Sequence, residues 1–575
     1  MTSSKPIVSI GMPVFNEEKF ISKAIDSLLQ QDFEDFELII SDNASTDRTF
    51  EICIEYKNKD QRIKLHRNKR NLGAANFKRV VNLTSGKYFM LAGGHDLWHP
   101  SFINRCVEML ENDPSLVLCY TSAMKIDVDD NPVEIASDDI DTRSLTQIER
   151  FRKTLWGLYE CSSIYSIMRL DILMKTSLIQ NSLLCDVILL LELSLFGAFA
   201  QIGEPLFYLR INRPEETIKE TVERHRKWLL SLKDDIINLV PYMAASYNFI
   251  KLVRDSEIDT SSKDLLIGEI INFVKLGVCW NGISKEEVRS LLNKIIEIIN
   301  TNQNNISLLR ASIQKAFYYF EFLLILFPNI EQLHIFKALC LANLEKLNEA
   351  KTLTVGNSSQ FLNIKKFDIL SKEVKIDCVI SAIEHQLFVD TEKNCRMALT
   401  QKLPYRRNLS ILFKLASFYA KQQRFSEAEE KFKETLSLDP PDRNTKAGIL
   451  VALANIYSQQ QRYKEAEEKL KEAISLKLYN KNIIISIHYT LGSNYEREGQ
   501  LNQAKQEFGK VLKLIEEIQS SLDKNRFGGG VHFHLGCIYQ SLKKRREAKH
   551  HLEECLRFIP EHRKAREILR EVLNG

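Results

Sequence analysis

The strongest constraint on the fold is a repeated helical pattern in the C-terminal third of the 575-residue chain. Each copy places a small residue, a tyrosine and an alanine at the same relative positions. The tyrosines are Tyr419, Tyr457, Tyr495 and Tyr539, and the alanines are Ala428, Ala466, Ala504 and Ala548, so both series advance by 38, 38 and 44 residues. Small residues let paired helices approach closely, and stacked pairs build an all-α solenoid. Pro440–Pro441 and Gly528–Gly530 fall at the junctions, where we expect linkers.

A fainter copy precedes these four. It contains Ala338 and Ala350, and the step from Ala350 to Ala428 is about two periods. We therefore expect degenerate repeats over residues 306–400 and four repeats over residues 401–575. Residues 216–305 have amphipathic helical patterns without a chemical motif, which indicates a helical linker region.

Residues 1–215 have a different pattern, in which strands and helices alternate. Short β-prone runs at 7–12, 36–40, 63–66 and 87–91 are separated by segments with helical periodicity. Alternation of this kind predicts βαβ units and a mostly parallel, Rossmann-like α/β sheet. We also expect Asn16 to cap the first helix, because asparagine is a favoured N-cap residue.

The expected sheet topology also predicts where a ligand would bind. Ligands of open parallel sheets bind beyond the carboxyl ends of the strands. Phe15–Glu17, Asp42 and Gly94–Asp96 all follow strand ends, so these distant segments should converge on one edge. Carboxylates there suit a cation and a phosphate-bearing ligand. The alternative for Asp42 and for Asp47 is a purely structural role as a helix cap.

The residues at these strand ends resemble the opening of family 2 glycosyltransferases. The similarity is carried by Pro13–Glu18, Gln31–Asp47, Asn71–Phe77 and His95–Pro100, and it closes at Pro205–Arg210. It implies a GT-A fold and a nucleotide-diphosphate sugar donor. The C-terminal copies have the spacing of tetratricopeptide repeats, which implies a surface for a protein partner or a protein acceptor.

The resemblance also assigns candidate roles to individual residues. Phe15 matches a residue near the donor base, Asp42 one that contacts the base, and Asp96 the last aspartate of an acidic motif that binds ribose and a divalent metal, Mn²⁺ or Mg²⁺. The candidate donor-binding residues are Pro13, Phe15, Asn16, Glu17, Asp42, Asn71, His95 and Asp96, and Asp96 is the candidate metal ligand.

The acidic motif departs from the family pattern. The usual form is Asp-x-Asp or Asp-Asp, whereas this chain reads Gly93-Gly94-His95-Asp96. The first carboxylate is absent, while Asp96 remains and His95 could bind metal or ribose. The departure leaves three outcomes open: weaker metal dependence, an altered donor or impaired catalysis.

A transfer with inversion at the anomeric carbon needs a base to take the proton of the acceptor hydroxyl. The resemblance places such an aspartate later in the domain, and Asp186 is the best match. The alternative is that Asp186 is only the N-cap of a helix over residues 187–196. Glu192, within that helix, is a weaker candidate for the base.

Composition limits the remaining possibilities. Lys and Arg total 79 against 75 Asp and Glu, a net charge of +4 that gives no argument for binding nucleic acid. No run reaches the roughly 18 apolar residues of a membrane span, and the 11 cysteines form no Cys-x-x-Cys pair. We expect a cytoplasmic protein, with peripheral membrane association left open.

These observations predict a glycosyltransferase, inverting and metal-assisted, that uses a nucleotide-sugar and a glycan or protein acceptor. The competing interpretation is a catalytically impaired domain that serves as a binding module on a repeat scaffold, and the absent carboxylate at Gly94 motivates it.

Overall fold

The computed structural model divides the chain into two compact units, residues 1–407 and 408–575. It describes residues 5–158, 161–179, 183–211, 241–276, 288–289, 322–326, 391–400, 403, 405–440, 442–476, 478, 480–516 and 521–574. Within these ranges, no helix is both long and apolar enough to cross a membrane.

The first unit is built on one mixed sheet. Its strands in the described ranges are β1 (Val8–Val14), β2 (Phe36–Asp42), β3 (Ile63–Arg67), β4 (Tyr88–Leu91), β5 (Leu97–Trp98), β6 (Leu116–Ile126), β7 (Pro132–Ala136), β8 (Ile167–Arg169) and β9 (Ala198–Arg210). Their order is β3-β2-β1-β4-β8-β6-β9-β5, with β7 paired to β6. The pairs β1–β2, β2–β3, β1–β4 and β6–β9 are parallel. The mixed, mostly parallel α/β sheet confirms that part of the predicted fold class.

Helices cover the sheet. They are α1 (Ile21–Leu29), α2 (Thr49–Lys59), α3 (Ala75–Asn82), α4 (Phe102–Asn112), α5 (Gln147–Gly157), α6 (Leu170–Leu173), α7 (Cys185–Phe196), α8 (Pro241–Asp255) and α9 (Thr260–Leu276), with a 3₁₀ turn at Ser162–Tyr165. Every residue of β2 is buried, as expected for a parallel strand with helices on both faces. On one face, Ile10 and Met12 pack in the same core as Ile21 and Ile25 of α1.

The predicted capping role of Asn16 is wrong. Helix α1 begins at Ile21, its N-cap is Phe20, and no side chain caps it. Asn16 instead adopts a φ of 57°, and its Oδ1 accepts a hydrogen bond from the backbone N–H of Thr46 at 2.9 Å. A short amide side chain can accept a hydrogen bond from the N–H groups of its own helix or from those of a neighbouring loop. Asn16 accepts one from the loop that follows β2.

The second unit consists of paired helices joined by short turns. Its described helices are α10 (Tyr405–Lys421), α11 (Phe425–Ser437), α12 (Arg443–Gln459), α13 (Tyr463–Ser475), α14 (Lys481–Arg497), α15 (Leu501–Glu516), α16 (Ser521–Ser541), α17 (Arg545–Phe558) and α18 (Arg563–Asn574). The recurring small residues lie where helices of a pair meet. A Cβ on Gly492 of α14 would lie 2.8 Å from the ring of Phe508 in α15.

The recurring tyrosines link consecutive pairs. Tyr457 donates a hydrogen bond to Glu429 at 3.1 Å, and Tyr495 donates one to Glu467 at 2.7 Å. Both bonds join residues 28 apart in the sequence. The next junction differs, because the ammonium of Lys505 lies 5.8 Å from the centre of the Tyr539 ring.

The prediction that Gly528–Gly530 form a linker is wrong, because these glycines lie inside α16. A Cβ on Gly529 would lie 2.5 Å from the Cδ1 atom of Ile559, and one on Gly530 would lie 2.9 Å from the hydroxyl of Tyr489. Glycine therefore serves close packing here instead of a turn.

Several predicted boundaries stay predictions. Helices α8 and α9 lie in the predicted linker region 216–305. The predicted degenerate repeats at 306–400 lie outside the described residues except for 322–326 and 391–400, both of which include helix. The limits 1–215, 216–305, 306–400 and 401–575 are retained as working divisions of the chain.

Candidate functional site

The loops after β1 and β2 meet at the carboxyl-terminal edge of the sheet. The hydrogen bonds that join them include Asn16 N–H to Ser45 Oγ at 3.0 Å, Thr46 N–H to Asn16 Oδ1 at 2.9 Å, and Glu17 N–H to Thr49 Oγ1 at 2.7 Å. The predicted convergence of these segments is therefore observed, and the backbone of Glu17 is held in place.

Asp42, the last residue of β2, is fully buried. Its carboxylate accepts hydrogen bonds from the N–H of Ser45 and lies 3.2 Å from Nε of Arg67, whose side chain is 43% exposed. Helix α2 begins only at Thr49, so Asp42 is not its cap. The N-cap of α2 is Arg48, so Asp47 is not its cap either, although Asp47 Oδ1 accepts a hydrogen bond from the N–H of Thr49.

The flanks of this edge also carry predicted residues. Phe15 is 43% exposed, so its ring is available for stacking, while Pro13 is half-buried within β1. Asn71 accepts hydrogen bonds from the side chain of Asn43 and from the N–H of Gly73, each at 2.8 Å. Asn71 is thereby tied to the residue that follows Asp42.

Asp96, like Asp42, is fully buried at this edge. Its Oδ1 accepts a hydrogen bond from the N–H of Arg210 at 2.9 Å. Its Oδ2 is buried and has no hydrogen-bond partner among the described residues. Burial raises the pKa of Asp96, although the charges of His95 and Arg210 oppose that shift. An unpartnered buried oxygen is costly unless a ligand satisfies it.

His95 and Glu17 are brought together across the edge. The distance between His95 Nδ1 and Glu17 Oε1 is 3.0 Å, and the two side chains are 21% and 19% exposed. The loop that follows β4 is thus joined to the loop that follows β1, although the two residues lie 78 positions apart in the sequence.

Arg210, at the end of β9, is a site residue that sequence reasoning missed. Its side chain is fully buried. It donates to the carbonyl of His95 at 2.7 Å and to that of Asp127 at 2.8 Å, and it pairs with Asp130. The sequence feature that could have indicated this role is a single arginine at the end of an apolar strand. Arg210 therefore positions both residues of the His95–Asp96 pair.

Asp186 lies in the first turn of α7, and not at its N-cap, which is Leu184. The N–H of Val187 donates to Asp186 Oδ1 at 2.8 Å. Burial raises the pKa of Asp186, and the negative charge of Asp138 adds to that shift. Asp138 accepts hydrogen bonds from the N–H and the hydroxyl of Ser163. The raised pKa makes Asp186 a stronger proton acceptor than an ordinary aspartate.

The carboxylate of Glu192 is already hydrogen-bonded to another residue. It accepts hydrogen bonds from the N–H and the hydroxyl of Ser177. It lines a separate cavity of about 810 Å³ with residues of α7 and α8. These contacts favour Asp186 over Glu192 as the candidate base.

The residues at the edge fit a divalent cation if a ligand completes its coordination. In the described ranges, no group of three or more His, Cys, Asp or Glu side chains is arranged to hold a metal. Mg²⁺ is commonly bound by one or two carboxylates together with substrate phosphates and water. The unpartnered Oδ2 of Asp96 matches that mode of binding.

Parts of the chain match models of known protein families. The model of glycosyl transferase family 2 matches residues 9–176. Tetratricopeptide-repeat models match residues 407–478, 485–518 and 530–562.

Curated relatives match about a fifth of the chain. An uncharacterised glycosyltransferase of Methanocaldococcus jannaschii is 34% identical over 130 residues, which is 22% of this chain and 45% of that protein. The chondroitin synthase of Escherichia coli is 31% identical over 127 residues, 22% of this chain and 18% of the synthase. The chain therefore spans less than half the length of these relatives.

Solved structures also match. TarS 1–349 of S. aureus is 13% identical, with a TM-score of 0.37, and the match covers 60% of this chain and 91% of TarS 1–349. A mannosyltransferase of Pyrobaculum calidifontis, solved with GDP-Man and Mn²⁺, is 14% identical, with a TM-score of 0.31, over 57% of this chain and 89% of that one.

Proposed function

We propose that the protein transfers a sugar from a nucleotide-diphosphate sugar to an acceptor hydroxyl, because the glycosyl transferase family 2 model matches residues 9–176 and tetratricopeptide-repeat models match residues 407–478, 485–518 and 530–562. The transfer is inverting and metal-assisted. The observation that carries the proposal is the convergence of Glu17, Asp42, His95 and Asp96 on one edge of the sheet, with a buried Asp96 oxygen left for a ligand.

The donor lies along this edge. The exposed ring of Phe15 stacks on the base, and buried Asp42, beside Arg67, accepts hydrogen bonds from it. Asn71 and Pro13 shape the walls next to Asp42. Asp96 would hold a divalent cation next to the diphosphate. Such a cation supplies positive charge to the leaving diphosphate.

Asp186 acts as the base. Its half-buried carboxylate accepts the proton of the acceptor hydroxyl as the oxygen attacks the anomeric carbon. The raised pKa supports this role, because a base with a pKa nearer neutrality gains more from taking the proton. Ser163, which donates hydrogen bonds to Asp138, adds a polar group near Asp186.

The tetratricopeptide repeats recruit a protein, either the acceptor itself or an assembly partner. Stacked helix pairs of this type present extended surfaces that suit polypeptides. The Tyr457–Glu429 and Tyr495–Glu467 bonds give consecutive pairs a constant geometry, which supports such a surface.

A second candidate function is that of a binding module without turnover. The glycine at position 94, in place of the first motif carboxylate, favours it. Both candidates are tested with a panel of UDP-, GDP- and dTDP-sugars, with and without Mn²⁺. We expect one nucleotide class to raise the melting temperature more with metal present, and donor hydrolysis or transfer to be lost in Asp186→Asn. Donor binding with no turnover in any acceptor extract would favour the binding module. No binding of any donor would refute both.

A further inference from the structure

The space that a side chain at position 94 would need is occupied mainly by the side chain of Glu17. A Cβ built on Gly94 would lie 3.0 Å from Glu17 Cγ, 3.3 Å from Glu17 Cβ and 3.0 Å from Val14 Cγ1. An aspartate at position 94 would therefore point into the space that the stem of Glu17 occupies. The carboxylate of Glu17 lies at the end of that stem, on the same edge of the sheet as Asp96.

Glu17 is held there by its backbone and by its side chain. Its N–H donates to Thr49 Oγ1 at 2.7 Å, and its Oε1 lies 3.0 Å from His95 Nδ1. A carboxylate has about four lone-pair positions, so this bond with His95 uses only part of its capacity. Imidazole–carboxylate pairs of this kind commonly orient metal ligands.

A second observation points to a ligand between these residues. Asp96, which follows His95 directly, is fully buried, and its Oδ2 lacks a hydrogen-bond partner among the described residues. A Cβ on Gly93 would lie 2.4 Å from Asp96 Oδ2, so Glu17 and Asp96 flank the same Gly93–Gly94 segment. A cation bound by both would relieve their repulsion and satisfy the buried oxygen.

We propose that Glu17 supplies the carboxylate that the acidic motif lacks at Gly94, so that Glu17 and Asp96 together hold the divalent cation of the donor diphosphate. His95 is a positioning residue that orients Glu17. The proposal rests on the proposed function, because the diphosphate completes the coordination. It explains how the motif could lose one carboxylate without losing metal dependence.

The test is calorimetric titration of the full chain with UDP, GDP and dTDP, each with and without MnCl₂. For the nucleotide that binds, we expect Mn²⁺ to tighten binding of the wild type. Glu17→Gln should lose about tenfold or more of that metal-dependent gain. Glu18→Gln is the matched control, since Glu18 is the neighbouring carboxylate and its Oε2 bonds the N–H of Arg48.

A relocated carboxylate makes the test sharper. In the double variant Glu17→Ala/Gly94→Asp, the space left by Glu17 admits the new aspartate, and the metal-dependent gain should return. His95→Asn, which keeps a donor near the Nδ1 position, should retain more of the gain than His95→Ala. Manganese bound in the nucleotide complex, counted by electron paramagnetic resonance, gives a readout independent of turnover.

The outcomes separate the two proposals. If the wild type binds a nucleotide more tightly with Mn²⁺ and Glu17→Gln does the same, the role of Glu17 is refuted and the proposed function stands. If the wild type binds nucleotide with no response to metal, the cation site is refuted. If the wild type binds no nucleotide, the proposed function falls, and the role of Glu17 falls with it.

Discussion

Replacement of Arg210 by methionine tests whether this buried arginine holds the His95–Asp96 segment. The guanidinium is fully buried and donates to the carbonyls of His95 and Asp127 at 2.7 and 2.8 Å. Charged hydrogen bonds contribute roughly 1.5–3 kcal/mol each, and loss of one partner of a buried pair costs about 3–5 kcal/mol. Methionine keeps most of the apolar stem, and the backbone N–H that binds Asp96 is unchanged.

We therefore expect Arg210→Met to destabilise the first unit by about 3–5 kcal/mol, which for a domain of this size corresponds to a melting temperature lower by about 10 °C. Nucleotide affinity should also fall, because the His95 carbonyl is released. Differential scanning calorimetry of the full chain measures the transition of the first unit. The control is Arg105→Met, because Arg105 pairs with Glu204 through two hydrogen bonds but is 42% exposed. Equal melting shifts for the two variants would refute the reasoning.

Three further predictions concern stability and donor binding. Gly509→Ala, where an added Cβ meets nothing within 4 Å, should stabilise the second unit by about 0.5–1 kcal/mol. Gly529→Ala should destabilise the second unit despite the same gain in helix propensity, because the new Cβ would lie 2.5 Å from Ile559. Thermal melts of the two variants distinguish these effects. A Gly529→Ala variant that is more stable than the wild type would contradict the observed packing. Burial opposes ionisation of Glu429, but hydrogen bonds from Arg462 and other groups outweigh it and lower its pKa to about 2. The ionised form is therefore favoured by folding, so Glu429→Gln should lower the melting temperature at pH 7, and the difference should vanish as the pH falls from about 5 towards 2. A pH-independent difference would exclude this linkage. Asp42→Asn should weaken nucleotide binding about tenfold through loss of a charged acceptor, with calorimetry as the measurement; unchanged affinity would remove Asp42 from the site.

Local patterns were sufficient to predict the sheet and its edge. The apolar run that forms β2 is buried on both faces, and burial of that kind is typical of a parallel strand. Once the strands are parallel, their carboxyl ends must share an edge, so Glu17, Asp42 and Asp96 could be placed there without a structure. The close approach at Gly492 also followed from the spacing of small residues.

Features that depend on partners distant in sequence could not be predicted. The contact between Glu17 and His95 joins two loops whose relative height above the sheet no local pattern encodes. The role of Arg210 depends on carbonyls in two other segments. Three consecutive glycines suit a flexible linker and a tight helix contact equally well. Only the neighbouring Ile559 decides between them for Gly529.

The tyrosine–glutamate bonds have a consequence for how the repeat unit can change in length. Tyr457 and Tyr495 each reach a glutamate 28 residues earlier. In-frame deletion of the 38 residues 443–480 would place Tyr495 at the same distance from Glu429 that Tyr457 has now. A duplication of that segment would likewise create a further junction of the same kind. The repeat unit can thus be shortened or lengthened by whole 38-residue periods. Each new junction would contain the same tyrosine–glutamate hydrogen bond as the existing ones.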